Sequence, residues 1–386
     1  MEVLLILSGN PLHMKTKQIF FDTSSTIDFN KLGLNPNLIL VFSNRELLQE
    51  SNIGQEIRQA FPQAILAGCS TAGEIGQSMV KENTASISFI EFEKTEIIYR
   101  EHQINDAADS LSSGATLIES LPQENLKHVF VLSDGLNING SQLVIGMRDK
   151  LGDHCKITGG LAGDGANFEE TLLLNNEGEL KNKSVIALGF YGNHLEIGYG
   201  SMGGWNSFGI ERLVTRSTNN ILYELDGKPA LELYKSFLGD QAQNLPASGL
   251  LFPLSVRSES DKPPLVRTIL GISEEDQSLT FAGDVPTGSY VRLMKANIDR
   301  LIDGAEEAAQ IAKVDENSLA ILISCVGRKL VLKQLVEEEV ESVQGVLGTK
   351  CTLTGFYSYG EIAPFKKDAT CELHNQTMTI TTFREN

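Results

Sequence analysis

The residues with the chemistry to bind a small molecule lie where short apolar segments end and loops begin. Glycines at such points let the backbone approach a ligand closely and present N–H groups to an anion. Carboxylates there suit an amine, and a guanidinium suits a carboxylate or a phosphate. The candidate ligand-binding residues are Gly68, Ser70, Glu74, Asp134, Gly160, Gly163, Asp164, Arg328, Gly355 and Glu361. A tight turn explains the glycines equally well, and a loop cap explains the two aspartates equally well.

Arg328 is the candidate best placed to recognise an anion. It follows Gly327 and opens a helical segment, so its guanidinium and the helix N-terminus would act on an oxyanion together. We therefore expect Arg328 to be the main anion-recognising side chain, at the mouth of a crevice. The alternative is an ion pair with a structural carboxylate such as Glu361. Glu74 and Glu361 hold equivalent positions of a repeated pattern, which predicts that both face one cavity and receive an amine.

Ser70 supports a second hypothesis, that of a small-molecule hydrolase or acyl-transfer enzyme using Ser70 or a cysteine. Residues 68–73 resemble the turn that carries the nucleophile of α/β hydrolases, G-x-S-x-G. Ala72 stands where that turn requires glycine, and no strong helix follows. No nucleophile, base and orienting group can be assembled from the sequence, which favours a binding protein over an enzyme.

Histidine spacing argues against a metal site made by protein ligands alone. The six histidines contain no H-x-x-x-H pair, so a closed metal cage is not expected. Haem needs only one axial ligand, which a histidine or a cysteine can supply. His374 is the candidate metal ligand, and a hydrogen-bonded structural histidine at a strand end is the alternative. Haem is thus one cofactor hypothesis, and the absence of a cofactor is the other.

The segments that would position these residues share one layout, found three times. Each begins with an apolar run that ends in serine, continues through a helical pattern, and closes with an apolar run that enters a glycine-rich loop. The first runs cover residues 38–43, 129–133 and 319–324, and the closing runs begin near residues 64, 155 and 351. The first and third loops share the frame G-x-x-x-x-G-E-I. Continuous apolar runs between helices are typical of strands covered on both faces, so each segment is predicted to be a βαβ unit with parallel strands.

The predicted fold class is α/β, with two domains whose mixed, largely parallel sheets are built from repeated βαβ units and antiparallel additions. Further strands are predicted over 86–92, 184–190, 195–200 and 376–383, and helices over 106–121 and 297–312. A loop rich in glycine and polar residues at 201–207 places the domain boundary near residue 215. The predicted domains are residues 1–215 and 216–386. In such sheets ligands bind beyond the C-terminal ends of strands, where the glycine-rich loops fall.

Composition and charge disfavour several classes of function. The formal net charge is −18 and no cluster of Lys or Arg appears, which argues against nucleic acid and anionic membranes as partners. No apolar stretch is long enough for a membrane span or a signal peptide. The five cysteines form no C-x-x-C pair, which fits a reducing compartment, and we expect a cytoplasmic protein. The acidic run at 337–341 is predicted to be a solvated helix face.

The glycine-bearing strand ends carry a resemblance to a known family. Taken together, several short segments resemble the FIST family, in which an N-terminal FIST part precedes a smaller FIST C part. These segments are 68–75, 157–164, 324–328, 355–364 and 373–379, and they extend over nearly the whole chain. The resemblance implies a sensory domain for small ligands, found near amino-acid metabolism or attached to histidine kinases and diguanylate cyclases. Stand-alone members resemble haem-containing nitric oxide sensors that regulate a separately encoded histidine kinase.

For this chain the resemblance implies a non-enzymatic sensor in intracellular signal transduction. Its ligand would be haem with nitric oxide, or an amino-acid-like metabolite. Because the chain shows no kinase or cyclase signature, we expect it to act through a partner, a histidine kinase or another signalling protein, as in a two-component system. A homodimer is compatible with the sequence. The family brings no agreed set of ligand residues, so the candidate site rests on the residues named above.

Overall fold

The first of three sheet-and-helix repeats forms the N-terminal part of the fold. The computed structural model describes residues 6–8, 14–152, 155–258, 264–315, 319–365 and 369–386. A short strand, β1 (Ile6–Ser8), precedes the repeat. The elements of the first repeat are β2 (Met14–Phe21), β3 (Leu38–Ser43), α1 (Arg45–Glu50), α2 (Ile53–Ala60), β4 (Ile65–Ser70), β5 (Glu74–Gly76), β6 (Met79–Lys81) and β7 (Ala85–Phe92).

The second repeat has a similar order of elements. They are β8 (Glu96–Gln103), α3 (Ser110–Glu119), β9 (Leu126–Ser133), α4 (Gly140–Leu151), β10 (Lys156–Leu161), β11 (Leu173–Leu174), β12 (Leu180–Lys181) and β13 (Ser184–Tyr191). Helix α4 begins after Asn139, whose side-chain oxygen accepts a hydrogen bond from the Gln142 amide at 3.2 Å. It ends at Gly152, which has a φ of 70°. An asparagine cap and a left-handed glycine are the usual signals that begin and end a helix.

The third repeat is interrupted after its first strand, β14 (Leu195–Met202), by an inserted part. The elements of the inserted part are β15 (Asn206–Ser207), β16 (Arg212–Thr218), β17 (Ile221–Leu225), β18 (Lys228–Pro229), α5 (Ala230–Leu238), β19 (Leu254–Arg257), β20 (Leu265–Arg267), β21 (Ile269–Ser273), β22 (Ser278–Phe281) and β23 (Tyr290–Lys295). The repeat then resumes with α6 (Ile298–Ala312), β24 (Leu319–Cys325), α7 (Val326–Leu332), α8 (Val336–Leu347), β25 (Thr352–Ser358), β26 (Gly360–Pro364), β27 (Cys371–His374) and β28 (Met378–Glu385).

The three repeats share one strand order. The hydrogen-bonded orders are β2-β7-β3-β4, β8-β13-β9-β10 and β14-β28-β24-β25. The last two strands of each order, β3-β4, β9-β10 and β24-β25, are connected by helices and run parallel. The strand on the other side of β3, β9 or β24 runs antiparallel to it. The prediction of three βαβ units with parallel strands is therefore confirmed. The α/β class with mixed sheets is confirmed as well. The expectation that the sheets are largely parallel is wrong, because each described parallel pair, β3-β4, β9-β10 and β24-β25, is flanked by antiparallel strands.

Short strands are exchanged between the repeats in a cycle. Strand β5 of the first repeat pairs with β25 of the third, and β26 of the third pairs with β10 of the second. Strand β11 of the second repeat pairs with β4 of the first, which closes the cycle. Each exchanged strand follows the parallel pair of its own repeat and completes the sheet of another. The three sheets consequently form one core to which every repeat contributes.

Glycines at matching places let the parallel strands of each repeat lie close together. A Cβ atom on Gly68, Gly159 or Gly355 would lie 2.2, 2.0 or 1.8 Å from a carbonyl oxygen of the facing strand. One on Gly160 would lie 2.7 Å from the Ile323 side chain of the third repeat. Contacts this short exclude any side chain. These glycines serve the packing of strands, which corrects the expectation that Gly68, Gly160 and Gly355 contact a ligand.

The inserted part has its own antiparallel sheet and apolar core. Its central strands follow the order β20-β19-β23-β16-β17-β22-β21. The domain boundary predicted near residue 215 falls inside β16, and strands from both sides of it, β14 and β28, share one core sheet. Among the described residues, no helix is both long and apolar enough to cross a membrane.

A buried ion pair joins α7 to α8. The Arg328 guanidinium contacts Oε2 of Glu339 through Nε at 3.1 Å and Nη2 at 2.8 Å, and neither side chain has exposed surface. The remaining donors of Arg328 reach the carbonyl oxygens of Gly203 at 2.7 Å and Leu301 at 2.6 Å. Oε1 of Glu339 accepts a hydrogen bond from the Tyr357 hydroxyl at 2.6 Å. The pair is thus neutralised and hydrogen-bonded inside the core.

This pair corrects two expectations from the sequence. Arg328 does not lie at the mouth of a crevice, and its carboxylate partner is Glu339 rather than Glu361. The predicted solvated face at 337–341 is wrong for Glu339, although Glu337, Glu338 and Glu341 are exposed. The reason is that α7 is only seven residues long and α8 follows it after a short turn, which brings Glu339 of α8 to the buried Arg328 side chain.

We predict that Glu339→Gln lowers the free energy of unfolding by about 3–5 kcal/mol, because it leaves the buried Arg328 charge without a counter-charge. Urea denaturation measures the change. The matched control is Glu338→Gln on the exposed side of the same helix, which should change the free energy by less than about 0.5 kcal/mol. Equal effects of the two substitutions would contradict the structural role of the pair.

Candidate functional site

A cleft of about 380 Å³ lies where the three repeats meet. We call it the central cleft. Its lining comes from the start of α1, the loop 71–74, the turn 82–83, the loop 164–167 and the α7 residues Val326, Lys329 and Leu330. These segments follow the C-terminal ends of β3, β4, β10 and β24, apart from the turn 82–83. The cleft thus occupies the place where open α/β sheets bind ligands, as the sequence predicted.

The cyclic exchange of strands holds the cleft segments together. Because β5 pairs with β25, the loop before β5 lies against the third repeat, and the Ala72 amide donates a hydrogen bond of 2.8 Å to the Tyr357 carbonyl oxygen. The loop of the second repeat is tied to the first by hydrogen bonds from Gly163 to Ser70 at 2.9 Å and from Gly165 to Thr71 at 3.2 Å. Gly163 therefore supports the cleft from behind, and Gly165 lines it.

Lys329 places a positive charge on the wall of the cleft. Its Nζ donates a hydrogen bond to the Ala72 carbonyl at 2.7 Å and forms an ion pair with Glu82. The Lys329 side chain is 16% exposed, whereas that of Glu82 is 64% exposed. A largely buried ammonium next to an exposed carboxylate can exchange that partner for a ligand carboxylate at little cost, since ion pairs with an exposed member contribute little.

Glu74 is a buried carboxylate behind the same wall. Its Oε1 accepts from the Thr71 hydroxyl at 2.6 Å, and its Oε2 accepts from the Thr84 hydroxyl at 2.8 Å and the Thr84 amide at 3.3 Å. Burial raises the pKa of Glu74 to about 7, and the hydrogen bonds and nearby Lys329 oppose that rise. The carboxyl group therefore changes its charge near neutral pH, at the edge of the cleft.

Glu361 is the counterpart of Glu74 in the third repeat. Oε1 accepts from the Ser358 hydroxyl at 2.6 Å, and Oε2 accepts from the Thr377 hydroxyl at 2.9 Å and the Thr377 amide at 3.1 Å. Burial raises the pKa of Glu361 to about 8. The equivalence of the two glutamates is thus confirmed, but Glu361 is fully buried and does not line the cleft. The expectation that both glutamates face one cavity is wrong.

Asp164 links all three repeats at the floor of the cleft. Its carboxylate accepts hydrogen bonds from the backbone amides of residues 168–170 at 2.9–3.0 Å and from the Tyr359 hydroxyl. Arg45 of the first repeat contacts it through Nη1 at 3.1 Å. These partners occupy both oxygens of Asp164 and make it a loop cap. A ligand in the cleft would lie near the Asp164 carboxylate without displacing these hydrogen bonds.

Asp134 and Ser70 lie outside the cleft. Asp134 is buried, and its carboxylate accepts from the amides of Leu136, Asn137 and Lys183 at 2.7–2.8 Å, which makes it a loop cap. Ser70 is buried in β4, and its hydroxyl oxygen accepts from the Leu172 amide at 2.9 Å. A buried hydroxyl within a strand is not positioned to attack a substrate in the cleft.

The donor groups that haem requires are absent from the described lining of the cleft, which contains neither histidine nor cysteine. His374 is buried with its Nε2 2.7 Å from the Ala363 carbonyl oxygen, and burial lowers its pKa to about 4. All five cysteines are buried as free thiols, and no group of three metal-binding side chains is found in the part of the chain that the structure describes. The described lining of the central cleft therefore offers haem no histidine or cysteine ligand, and His374 lies outside this cleft, buried and hydrogen-bonded.

Sequence reasoning missed Lys329, the cation of the cleft. Lys329 directly follows Arg328, and neighbouring residues of a helix point about 100° apart. One therefore faces the core and the other faces the cleft. The local sequence does not decide which, because either cation could hold the buried position. The contact that settles the question, from Lys329 Nζ to the Ala72 carbonyl, depends on the pairing of β5 with β25, which no local sequence pattern indicates.

Ionisation of the buried glutamates predicts how stability depends on pH. The pKa values of Glu74 and Glu361, about 7 and about 8, exceed their ordinary value of 4.5, so the folded protein holds more protons than the unfolded chain in that range. The free energy of unfolding should therefore fall as pH rises. The buried His128 and His374 have pKa values lowered to about 3 and about 4. Below pH 6.5 the unfolded chain therefore binds more protons at these histidines, and their contribution to the free energy of unfolding falls as pH falls.

We predict that the free energy of unfolding falls between pH 6.5 and 8, by up to about 1.4 kcal/mol per pH unit for each glutamate. Urea denaturation at half-unit intervals measures the slope. Glu361→Gln should remove most of the fall above pH 7, and the exposed Glu338→Gln should leave it unchanged. A wild-type stability that rises across this interval would contradict the assignment.

Comparison with known proteins identifies the family to which the chain is related. The FIST N domain model matches residues 37–228 and the FIST C domain model matches residues 230–364. An uncharacterised protein of Methanocaldococcus jannaschii is 25% identical over 333 residues, which cover 79% of this chain and 63% of the relative. The chain thus spans less than two thirds of that relative's length. Two solved structures are also similar to it.

These solved structures are cyanuric acid hydrolases. The protein from A. caulinodans aligns with 97% of this chain and 99% of its own, with a TM-score of 0.35 and 8% identity. The second aligns with 97% of this chain and 100% of its own, with a TM-score of 0.34 and 8% identity. Similarity at this level carries no functional argument.

The two family models cover most of the chain. Their matches follow one another directly along the chain, and together they include every segment that lines the central cleft. FIST domains are a family of sensors in signal transduction. The chain belongs to the FIST family, with a FIST N domain followed by a FIST C domain.

Proposed function

We propose that this FIST protein is a non-enzymatic sensor that binds a small zwitterionic metabolite, of the amino-acid type, in the central cleft. It regulates a separate signalling protein in the cytoplasm, such as a histidine kinase. The single observation that carries the proposal is the pairing of opposite charges in one small cleft, with Lys329 on the wall and carboxylates beside it. An α-amino acid presents the complementary pair, one carboxylate and one ammonium group.

The dimensions and chemistry of the cleft support a small polar ligand. Its volume of about 380 Å³ falls within the range typical of small-molecule sites. Lys329 would receive the ligand carboxylate, and Glu82 and Glu74 would receive the ammonium group. Asn83 and Asn167 also line the cleft and can donate or accept hydrogen bonds at its rim. The mixture of charges disfavours a ligand that is only anionic or only apolar.

The position of α7 supports a route from the cleft to a partner. Helix α7 lines the cleft with Val326, Lys329 and Leu330, and on another side it packs against the short 3-10 helix Ala247–Leu251 of the inserted part. A ligand that draws Lys329 towards itself would bias the position of α7. Such a shift would reach the inserted part, which offers surface for a signalling partner. A ligand changes a conformational equilibrium only by binding one state better than another.

The state of the nucleophiles supports a binding role over catalysis. The Ser70 hydroxyl is buried in a strand and hydrogen-bonded. Burial raises the pKa of every cysteine thiol, to about 12 for Cys155 and Cys351, so these groups stay protonated near neutral pH. A thiol rather than a thiolate is a poor nucleophile. The alternative of an enzyme using Ser70 or a cysteine therefore gains no support from the described residues.

We predict that at least one of the twenty L-amino acids raises the melting temperature of the protein, and that Lys329→Met weakens its binding roughly tenfold to a hundredfold. Loss of a charge-assisted hydrogen bond of about 1.5–3 kcal/mol gives this range. A thermal-shift screen identifies the amino acid, and isothermal titration calorimetry measures its Kd. The control is Lys350→Met, an exposed lysine that does not line the cleft.

Two outcomes would overturn the proposal. If no amino acid shifts the melting temperature at millimolar concentration, the ligand class is wrong. If an amino acid binds and Lys329→Met and Lys350→Met bind it equally well, the ligand lies outside the central cleft. The melting temperature of each unliganded variant establishes that it is folded before its affinity is compared.

A further inference from the structure

The inserted part contains an apolar cavity of about 130 Å³, separate from the central cleft. We call it the side pocket, and its lining includes Phe208, Ile210, Arg212, Phe237, Val291 and Leu293. It lies between the sheet strands β16, β19 and β23 and the helix α5. The remaining lining is apolar or aromatic apart from Gly209, and Arg212 is the charged residue among the described residues that line the pocket.

Arg212 leaves a donor unused at this pocket. Its Nη1 pairs with Asp226 at 2.9 Å, and its guanidinium lies 5.6 Å from the centre of the Phe237 ring. Its Nε is buried and has no hydrogen-bond partner within the described residues. A buried donor without a partner costs free energy comparable to that of a lost hydrogen bond. Because Nε has no accessible surface, a ligand would reach the guanidinium at its other nitrogens, and the Arg212 side chain as a whole is 26% exposed.

The rim of the side pocket exposes apolar side chains. Ile210 is 67% exposed and Phe237 is 42% exposed, and both are among the most exposed large apolar residues described. Ile210 follows Gly209, whose φ is 72° and whose surroundings leave open space for a side chain. Exposed apolar groups grouped around a cavity indicate a binding place more strongly than scattered ones do.

We propose that the side pocket is a second ligand site, which takes a short apolar monocarboxylate with its chain in the cavity and its carboxylate on Arg212. The partly exposed guanidinium of Arg212 supplies the positive charge, and the apolar walls bury the hydrocarbon chain. Among the described residues that line the pocket, no carboxylate would receive an ammonium group, and the Asp226 carboxylate outside the lining is already bound to Arg212. Because no carboxylate is available for an ammonium group, the side pocket should take a monocarboxylate, whereas the central cleft should take a zwitterion.

The volume of the side pocket limits the length of the ligand's hydrocarbon chain. An apolar cavity of roughly 150 Å³ holds a six-carbon ring. The side pocket, at about 130 Å³, should therefore hold a branched or linear chain of roughly four to six carbons. Each added carbon that is buried should strengthen binding roughly three- to fourfold until the cavity is full. Longer chains would place carbons in water and gain nothing further.

The test measures the Kd of the full protein chain for four carboxylates by NMR titration. The carboxylates are acetate, butyrate, 4-methylpentanoate and octanoate. Binding should strengthen from acetate to 4-methylpentanoate and level off at octanoate. The uncharged 4-methylpentan-1-ol should bind at least tenfold more weakly than 4-methylpentanoate, because it has no negative charge with which to form an ion pair with Arg212.

Two variants locate the site. Arg212→Met should weaken 4-methylpentanoate binding at least tenfold, and its matched control is Arg216→Met, on the same strand, where Arg216 pairs with Glu224 and stacks on Tyr223. Ile210→Ala should weaken binding roughly threefold to tenfold. Because Ile210 is largely exposed, this variant remains folded even if Arg212→Met does not.

The proposal would be overturned by any of three results. One is the absence of saturable carboxylate binding at tens of millimolar. Another is equal affinity for the acid and the alcohol, which would leave an apolar cavity without a role for Arg212. The third is an unchanged Kd in both Arg212→Met and Ile210→Ala, which would place the carboxylate elsewhere. Because the probe and the variants differ from those for the central cleft, failure here leaves that site untouched.

Discussion

Three short strands that leave their own repeats and complete the sheets of others hold this fold together. Strands β5, β11 and β26 each follow the parallel pair of one repeat and pair with the last parallel strand of another. Backbone groups at a sheet edge must be hydrogen-bonded when they are buried, so no repeat can satisfy its own edge without the others. The three repeats consequently fold as one body, and the loops that introduce the exchanged strands are brought to a common place.

That common place is the central cleft, and its chemistry follows from the same constraint. Pairing of β5 with β25 brings the loop 71–74 against α7, so Lys329 of the third repeat reaches a carbonyl of the first. Glu74 is buried by the same contact, and burial raises its pKa to about 7. The charged groups of the cleft are therefore supplied by different repeats. A ligand bound between them would contact elements that no single repeat positions.

The sequence predicted local features well and long-range features poorly. The βαβ units were predictable because strands covered on both faces, such as β3 and β24, are continuous apolar runs. The matching roles of Glu74 and Glu361 in the repeat were predictable from the recurring frame around them. The exchange of strands was not, because β5 and β11 are only three and two residues long and pair with partners far along the chain. A structural ion pair was the alternative role for Arg328, but its partner Glu339 was missed because it lies in a run of glutamates whose other members face water.

Hydrogen exchange, measured residue by residue in the presence of single L-amino acids, tests most directly that the cleft where the repeats meet is the sensory site. An amino acid that binds in the central cleft should slow exchange at 71–74, at 164–167 and at 326–330 together, since all three segments line one cleft. Slower exchange in only one of these segments, or in none of them while the amino acid binds elsewhere, would contradict it.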